Sequence, residues 1–201
     1  MSQYPDARFI LSANSPAQLV PDTGAEVAFA GRSNAGKSSA INAIVNRRQF
    51  ARTSKTPGRT QLINFFELAD GKRLVDLPGY GFARVSDSVR DHWGRLITGY
   101  FETRQSLTGL FMIVDVRRGL LDGDLTMLAL AERCELPVHV LLSKADKLKR
   151  GQAAAALQET RRALGSRAGV QLFSAPKRDG IDEARAVLGR FLGRRAGARG
   201  S

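Results

Sequence analysis

Short apolar blocks recur along the chain with amphipathic stretches between them. Glu26–Ala30 predicts a strand that runs into Gly31, and Lys37–Asn46 predicts a helix. Gln61–Leu68 and Arg73–Asp76 predict two strands joined by the turn Ala69-Asp70-Gly71-Lys72, a hairpin signal. Further helices are expected at Ser88–Arg104, Leu121–Cys134, Gln152–Leu164 and Ile181–Leu192. The strands Leu110–Val116, Val138–Leu142 and Val170–Phe173 fall between them. Strands alternating with helices imply an α/β fold, a mostly parallel sheet with helices on both faces. Six strands are expected, with one antiparallel edge strand from the hairpin. Arg8–Leu11 is a candidate for a further strand.

No internal repeat interrupts this order. Residues 1–25 are expected to form an extension, residues 26–193 a single domain, and residues 194–201 a basic disordered tail. Gln49–Arg59, which contains Pro57-Gly58, and Leu77–Asp87, which contains Pro78, Gly79 and Gly81, are expected to be mobile.

Composition narrows the setting. With 201 residues, 43% hydrophobic and 25% charged, the chain is long enough for one well-buried core. It has no apolar run of the roughly 18 residues that a membrane span requires, and no secretory signal at its N-terminus. One cysteine, Cys134, excludes an internal disulfide and a cysteine metal cluster. A monomer in a reducing cytoplasm, away from membranes, is the expectation. The net charge of +12 changes the picture most, because such a surplus attracts polyanions, nucleic acid first.

The chemistry begins at Gly31-Arg32-Ser33-Asn34-Ala35-Gly36-Lys37-Ser38, which fits G-x-x-x-x-G-K-[ST] between a strand and a helix. Glycines let such a loop curl its N–H groups toward phosphate oxygens, and the helix start adds partial positive charge. Lys37 can reach the β- and γ-phosphates, and the Ser38 hydroxyl can bind Mg²⁺. Asp76-Leu77-Pro78-Gly79 is a D-x-x-G arrangement after a strand. Its carboxylate is expected near the metal through water, and the Gly79 N–H near the γ-phosphate. Ser143-Lys144-Ala145-Asp146 follows the strand at 138–142. The Asp146 carboxylate can accept from N1–H and the 2-amino group of guanine, a donor pair that adenine does not offer. The Lys144 stem can lie along the base, and Ser143 can tie this loop to the phosphate loop. Ser174 and Ala175, after the last strand, would present backbone N–H groups to the guanine oxygen.

With these motifs in order, the sequence resembles the translation-factor-related GTPases, and specifically the EngB/YihA/YsxC family of bacterial ribosome-biogenesis GTPases. The resemblance rests on residues 31–39, on Ser54-Lys55-Thr56-Pro57-Gly58-Arg59-Thr60-Gln61, on Val75-Asp76-Leu77-Pro78-Gly79-Tyr80-Gly81 and on Lys144-Ala145-Asp146. It covers roughly Arg8 to Leu192. It implies a Ras-like P-loop G domain and a role in assembling the large ribosomal subunit, with GTP or GDP, a subunit precursor and rRNA as partners. It adds Ser39 and Gly58 to the phosphate-binding set. Thr60 matches the switch I threonine that closes on Mg²⁺ and the γ-phosphate. Ser143 stands where the family has Thr, and a hydroxyl is retained.

The hydrolytic machinery is thin. Many GTPases orient the attacking water with a glutamine after D-x-x-G. Tyr80 occupies that position, no catalytic residue is assigned, and slow turnover is expected. A partner arginine, an RNA environment or K⁺ could complete the site. Asn34 sits where some related GTPases help hold K⁺; loop support is the alternative.

Basic residues cluster at Arg47, Arg48, Arg52, Lys55 and Arg59, and again at Lys147, Lys149 and Arg150. The first group suggests a loop that GTP orders for rRNA. His139 is expected in the core, and His92 and Trp93 in packing. A P-loop ATPase or kinase is disfavoured by Asp146 with Lys144. A GTP-dependent scaffold without hydrolysis stays open. A membrane-trafficking GTPase lacks its prenylation cysteine here.

Overall fold

The computed structural model describes residues 4–51, 62–69, 71–81, 87–194 and 197, with backbone alone at Asp87 and Arg90. The strands are β1 (Arg8–Ala13), β2 (Ala25–Gly31), β3 (Ile63–Ala69), β4 (Lys72–Asp76), β5 (Leu107–Asp115), β6 (Val138–Ser143) and β7 (Gly169–Leu172). The helices are α1 (Lys37–Val45), α2 (Asp87–Thr103), α3 (Asp122–Arg133), α4 (Arg150–Leu164) and α5 (Ile181–Leu192). All lie within a few residues of the expected blocks, and α5 coincides with its block.

The strands form one sheet in the order β1-β3-β4-β2-β5-β6-β7. The expectation of six strands is corrected to seven: Arg8–Ala13 joins as the outermost strand, antiparallel to β3. The antiparallel member of the hairpin, β3, therefore lies one place in from the edge. An edge strand needs only one neighbour, so the short polar-flanked block at Arg8 carries little periodic signal of its own. A register shift between Phe9 and Leu11 breaks its regularity, and Phe9 and Ile10 stay exposed.

The central strands read as continuous apolar runs because both faces are covered. Every residue of β2, β5 and β6 is buried. One face packs against α1 and α5, through Ile41, Ile44, Val187, Leu188 and Phe191. The other packs against α2, α3 and α4, through Ile97, Phe101, Leu128 and Leu164. Gly109 is required by this packing, because a Cβ there would lie 2.4 Å from the Phe191 ring.

Residues 20–23 are tied to the start of the sheet by a buried ionic cluster. Glu26, wholly buried, accepts from Arg73 Nε (2.8 Å), Arg104 Nε (2.9 Å), Arg104 Nη2 (2.6 Å) and the Tyr100 hydroxyl (2.8 Å). The arginines also donate to the carbonyls of Val20, Pro21 and Thr23. Burial, followed by the Glu26 charge, pushes the Tyr100 hydroxyl well above its ordinary value, so it stays a donor.

The parallel strands β2, β4, β5, β6 and β7 all end on the same side of the sheet. Their C-terminal ends bring Gly31, Asp76, Asp115 and Ser143 into one row. In open α/β sheets this is the side where ligands bind.

Candidate functional site

The phosphate-loop sequence leaves β2 at Gly31 and enters α1 at Lys37. A Cβ at Gly31 would lie 2.7 Å from the Ile113 carbonyl oxygen, so only glycine allows this turn beside β5. Asn34 (φ +62°) and Gly36 (φ +98°) adopt left-handed conformations that curl the loop. No side-chain hydrogen bond caps α1. The positive end of the helix is therefore directed into the loop, as an anion site requires.

The D-x-x-G turn is held against this loop by main-chain bonds. Leu77 N–H donates to the Phe29 carbonyl (3.0 Å), Tyr80 N–H to that of Gly31 (3.3 Å), and Ser33 N–H to that of Tyr80 (3.0 Å). Gly79 packs so closely that a Cβ there would lie 3.1 Å from Ser33 Oγ. At the end of β4, Asp76 accepts directly from the Lys37 ammonium, and both side chains are largely covered. Ser38 and Ser39 follow Lys37 in the first turn of α1.

The Ser143-Lys144-Ala145-Asp146 loop starts where β6 ends. Ser143 Oγ donates to the carbonyls of Ala35 and Val114 (3.1 Å to the latter), which ties the loop to the phosphate loop as expected for the retained hydroxyl. Lys144 is left-handed (φ +59°), and its ammonium donates to the Asn34 carbonyl (2.6 Å) and to Asp115 Oδ2 (3.0 Å). Asp146 accepts from Ser174 Oγ (2.7 Å). That bond first, and Lys147 after it, hold its carboxyl below its ordinary value despite partial burial. Ser174, expected as a donor to the base through its backbone, bonds its N–H to the Asp179 carbonyl (3.0 Å) and uses its hydroxyl to fix Asp146. Ala175 follows it in the chain, partly buried against the core.

The structure thus brings together residues 31–39, Asp76, Gly79, Ser143, Lys144, Asp146, Ser174 and Ala175. Gly58 and Thr60 lie outside the described residues, as do Arg52, Lys55 and Arg59.

Two residues escaped the motif reading. Asp115, the last residue of β5, is clasped by Arg117 through Nε (2.9 Å) and Nη2 (2.7 Å) as well as by Lys144. The Arg117 bonds first, with Lys144 adding to them, hold its carboxyl well below the carboxylate range. Its signal was an acidic residue ending an apolar run at the same sheet edge as Gly31 and Asp76. Asp124, in the first turn of α3, accepts from the Tyr80 hydroxyl (2.6 Å) and from Leu121 N–H (2.9 Å). Nothing local distinguished it from an ordinary helix-start acid.

The donor set suits Mg²⁺, which takes oxygen ligands and few carboxylates alongside phosphate and water. Asp76 and Ser38 are hard oxygen donors beside the phosphate loop. No group of three or more His, Cys, Asp or Glu that could hold a metal by itself occurs among the described residues. No helix among them is long and apolar enough to cross a membrane.

Comparison with known proteins gives the family and the fold. The profile of a family described as "50S ribosome-binding GTPase" matches residues 26–144. "Probable GTP-binding protein EngB" of Stenotrophomonas maltophilia is 52% identical over 191 residues, covering 93% of this chain and 96% of that protein. The protein of the same description from Xanthomonas euvesicatoria is 51% identical, covering 93% and 92%. Among solved structures, a probable GTP-binding protein engB superposes with a TM-score of 0.66 at 23% identity, covering 84% of this chain and 98% of that one. Aquifex aeolicus Era bound to GDP·AlF4⁻ gives 0.65 at 17% identity, covering 86% and 58%. These two show the shared fold. With the profile spanning more than half of its length and relatives about half identical along nearly all of it, the chain belongs to the EngB family of GTP-binding proteins, within the GTPases.

Proposed function

We propose that this protein is a nucleotide-dependent switch in large ribosomal subunit assembly. It binds GTP with Mg²⁺, hydrolyses it slowly, and meets rRNA through basic surfaces in the GTP state. The observation that carries the reading is one continuous edge of the sheet. Lys37 and Asp76 stand at its phosphate end, Asp146 at its base end, and the Lys144 ammonium joins the two loops between them.

Each side chain has a task in that reading. The first N–H groups of α1 and the Lys37 ammonium hold the β- and γ-phosphates, with Arg32 to Ser39 enclosing them. Lys37 exchanges its present partner, Asp76, for phosphate oxygen. Asp76 is then released toward the metal through water, with Ser38 and Thr60 as the other protein donors. Mg²⁺, when bound, neutralises charge on the phosphate oxygens. Gly79 N–H and the segment with Gly58 and Thr60 sense the γ-phosphate. Asp146 pairs with the guanine edge, Ser174 orients it, and Ala175 N–H meets the guanine oxygen.

The family description and the net charge of +12 support the ribosomal part. Cosedimentation with large-subunit particles is the test. More protein should pellet with a non-hydrolysable GTP analogue than with GDP, and equal pelleting would overturn the switch. One observation favours a second reading, a GTP-dependent scaffold with negligible hydrolysis. The side chain after Gly79 is Tyr80, whose hydroxyl donates to Asp124. Hydrolysis measured with ribosomal subunits separates the two. K⁺ at Asn34 predicts faster turnover in K⁺ than in Na⁺ buffer, and equal rates exclude that role.

A further inference from the structure

Tyr80 occupies the position where many GTPases place a water-orienting glutamine, yet it points elsewhere. Its ring is buried, 6.4 Å between centroids from Trp93. Gly123 makes room for it, since a Cβ there would lie 3.1 Å from the ring. The hydroxyl donates to Asp124 Oδ1 at 2.6 Å. Asp124 is only 1% exposed, and its other oxygen accepts Leu121 N–H, which fixes it to the helix start. Burial first, then the Asp124 charge, pushes the Tyr80 hydroxyl far above its ordinary value, so it remains a proton donor. Meanwhile the Tyr80 main chain bonds the phosphate loop in both directions, at Gly31 and Ser33.

One residue thus links α3 to the D-x-x-G turn and that turn to the phosphate loop. Its chain neighbour, Gly79, packs directly against Ser33 of that loop.

We propose that Tyr80 is a positioning residue for GTP. Its hydroxyl bond to Asp124 holds the Asp76–Gly79 turn in the register that sets the Gly79 N–H for the γ-phosphate, and so favours GTP over GDP. This rests on the reading of Gly79 as a γ-phosphate contact. GDP has no γ-phosphate, so its affinity does not depend on where Gly79 stands. A loss that merely loosens the fold weakens both nucleotides alike. A loss of register weakens the triphosphate alone. The buried carboxylate makes the bond a charge-assisted one, the stronger class.

The experiment measures the affinities of fluorescent GDP and a fluorescent non-hydrolysable GTP analogue, each with Mg²⁺, for wild type, Tyr80→Phe, Asp124→Asn and the double variant. Tyr80→Phe keeps the ring and removes only the donor. Asp124→Asn keeps an oxygen for Leu121 N–H. Each single variant should weaken the GTP analogue about tenfold with GDP changed less than about twofold, and the double variant should be no worse than either. Retained GDP binding shows that the variants fold. An unchanged ratio of the two affinities in both single variants, or an equal loss for both nucleotides, overturns the positioning role and leaves the guanine-nucleotide reading standing. Failure of the wild type to bind either nucleotide overturns that reading and the proposal with it.

Discussion

In the proposed function, Asp146 is where base selectivity is concentrated. Ser174 fixes the carboxylate from one side, so on that reading it would meet the base already oriented. Asp146→Ala removes two acceptors from the guanine edge. GTP affinity should fall by about 100-fold or more, the scale on which sites built for a hydrogen-bonded partner discriminate. Competition of GTP and ATP against labelled GDP reads this, and GTP preference surviving in the variant would move selectivity elsewhere. Ser174→Ala should cost a smaller factor, about fivefold, because the carboxylate stays but loses its orienting donor. His139 carries a different consequence. It is buried beneath Phe111, with Nε2 3.0 Å from Gln171 Oε1, and burial lowers its pKa from the ordinary 6.5. The unfolded chain then binds a proton more readily than the folded one below that value. Stability is fully present above the ordinary histidine pKa and declines as pH falls beneath it. Denaturant midpoints at pH 7.5 and 5.5 should show wild type losing more than His139→Gln over that interval; equal losses would remove histidine from the account.

Among the elements, β2 carries both the fold and the site. Its first half anchors the ionic cluster through Glu26, and its last residue opens the phosphate loop. Glu26→Ala would leave Arg73 and Arg104 buried without their carboxylate. A loss of about 3–5 kcal/mol is expected from chemical denaturation, as for breaking one side of a buried ion pair. A loss below 1 kcal/mol would mean that Asp22 and the carbonyls of Val20, Pro21 and Thr23 suffice to satisfy the arginines. The packing of α5 on β5 is equally specific. Gly109→Ala should cost about 1–3 kcal/mol, since Phe191 must move to admit the methyl group. Helices α1 and α5 were legible because their apolar periodicity follows from burying one face. The strand β1 gave only a weak signal, because at a sheet edge half of its groups face water and a register shift interrupts the alternation.

At the scale of the whole molecule, charge and topology act together. Thirty-one basic against nineteen acidic residues give an attraction to polyanions that counterions screen. If the proposed function holds, binding to large-subunit particles should therefore weaken steeply with added salt, about a thousandfold between 50 and 200 mM if six or more phosphates are contacted. A flat salt profile would point to a protein surface on the particle. The sequence by itself determined the strand-helix alternation, the phosphate loop, D-x-x-G and S-K-A-D, because each is a local run whose chemistry depends on spacing along the chain. The tertiary structure decided what lies far apart in sequence. Parallel pairing sets the ends of β4, β2, β5 and β6 side by side, and so gives Lys37 Asp76 as partner and Lys144 Asp115, while the placement of α3 gives Tyr80 Asp124. Those pairs join segments 29 to 44 residues apart. Only the closure of the sheet and its helices fixes such distances, which is why the phosphate-loop motif could be read from eight residues and the Tyr80–Asp124 contact could not.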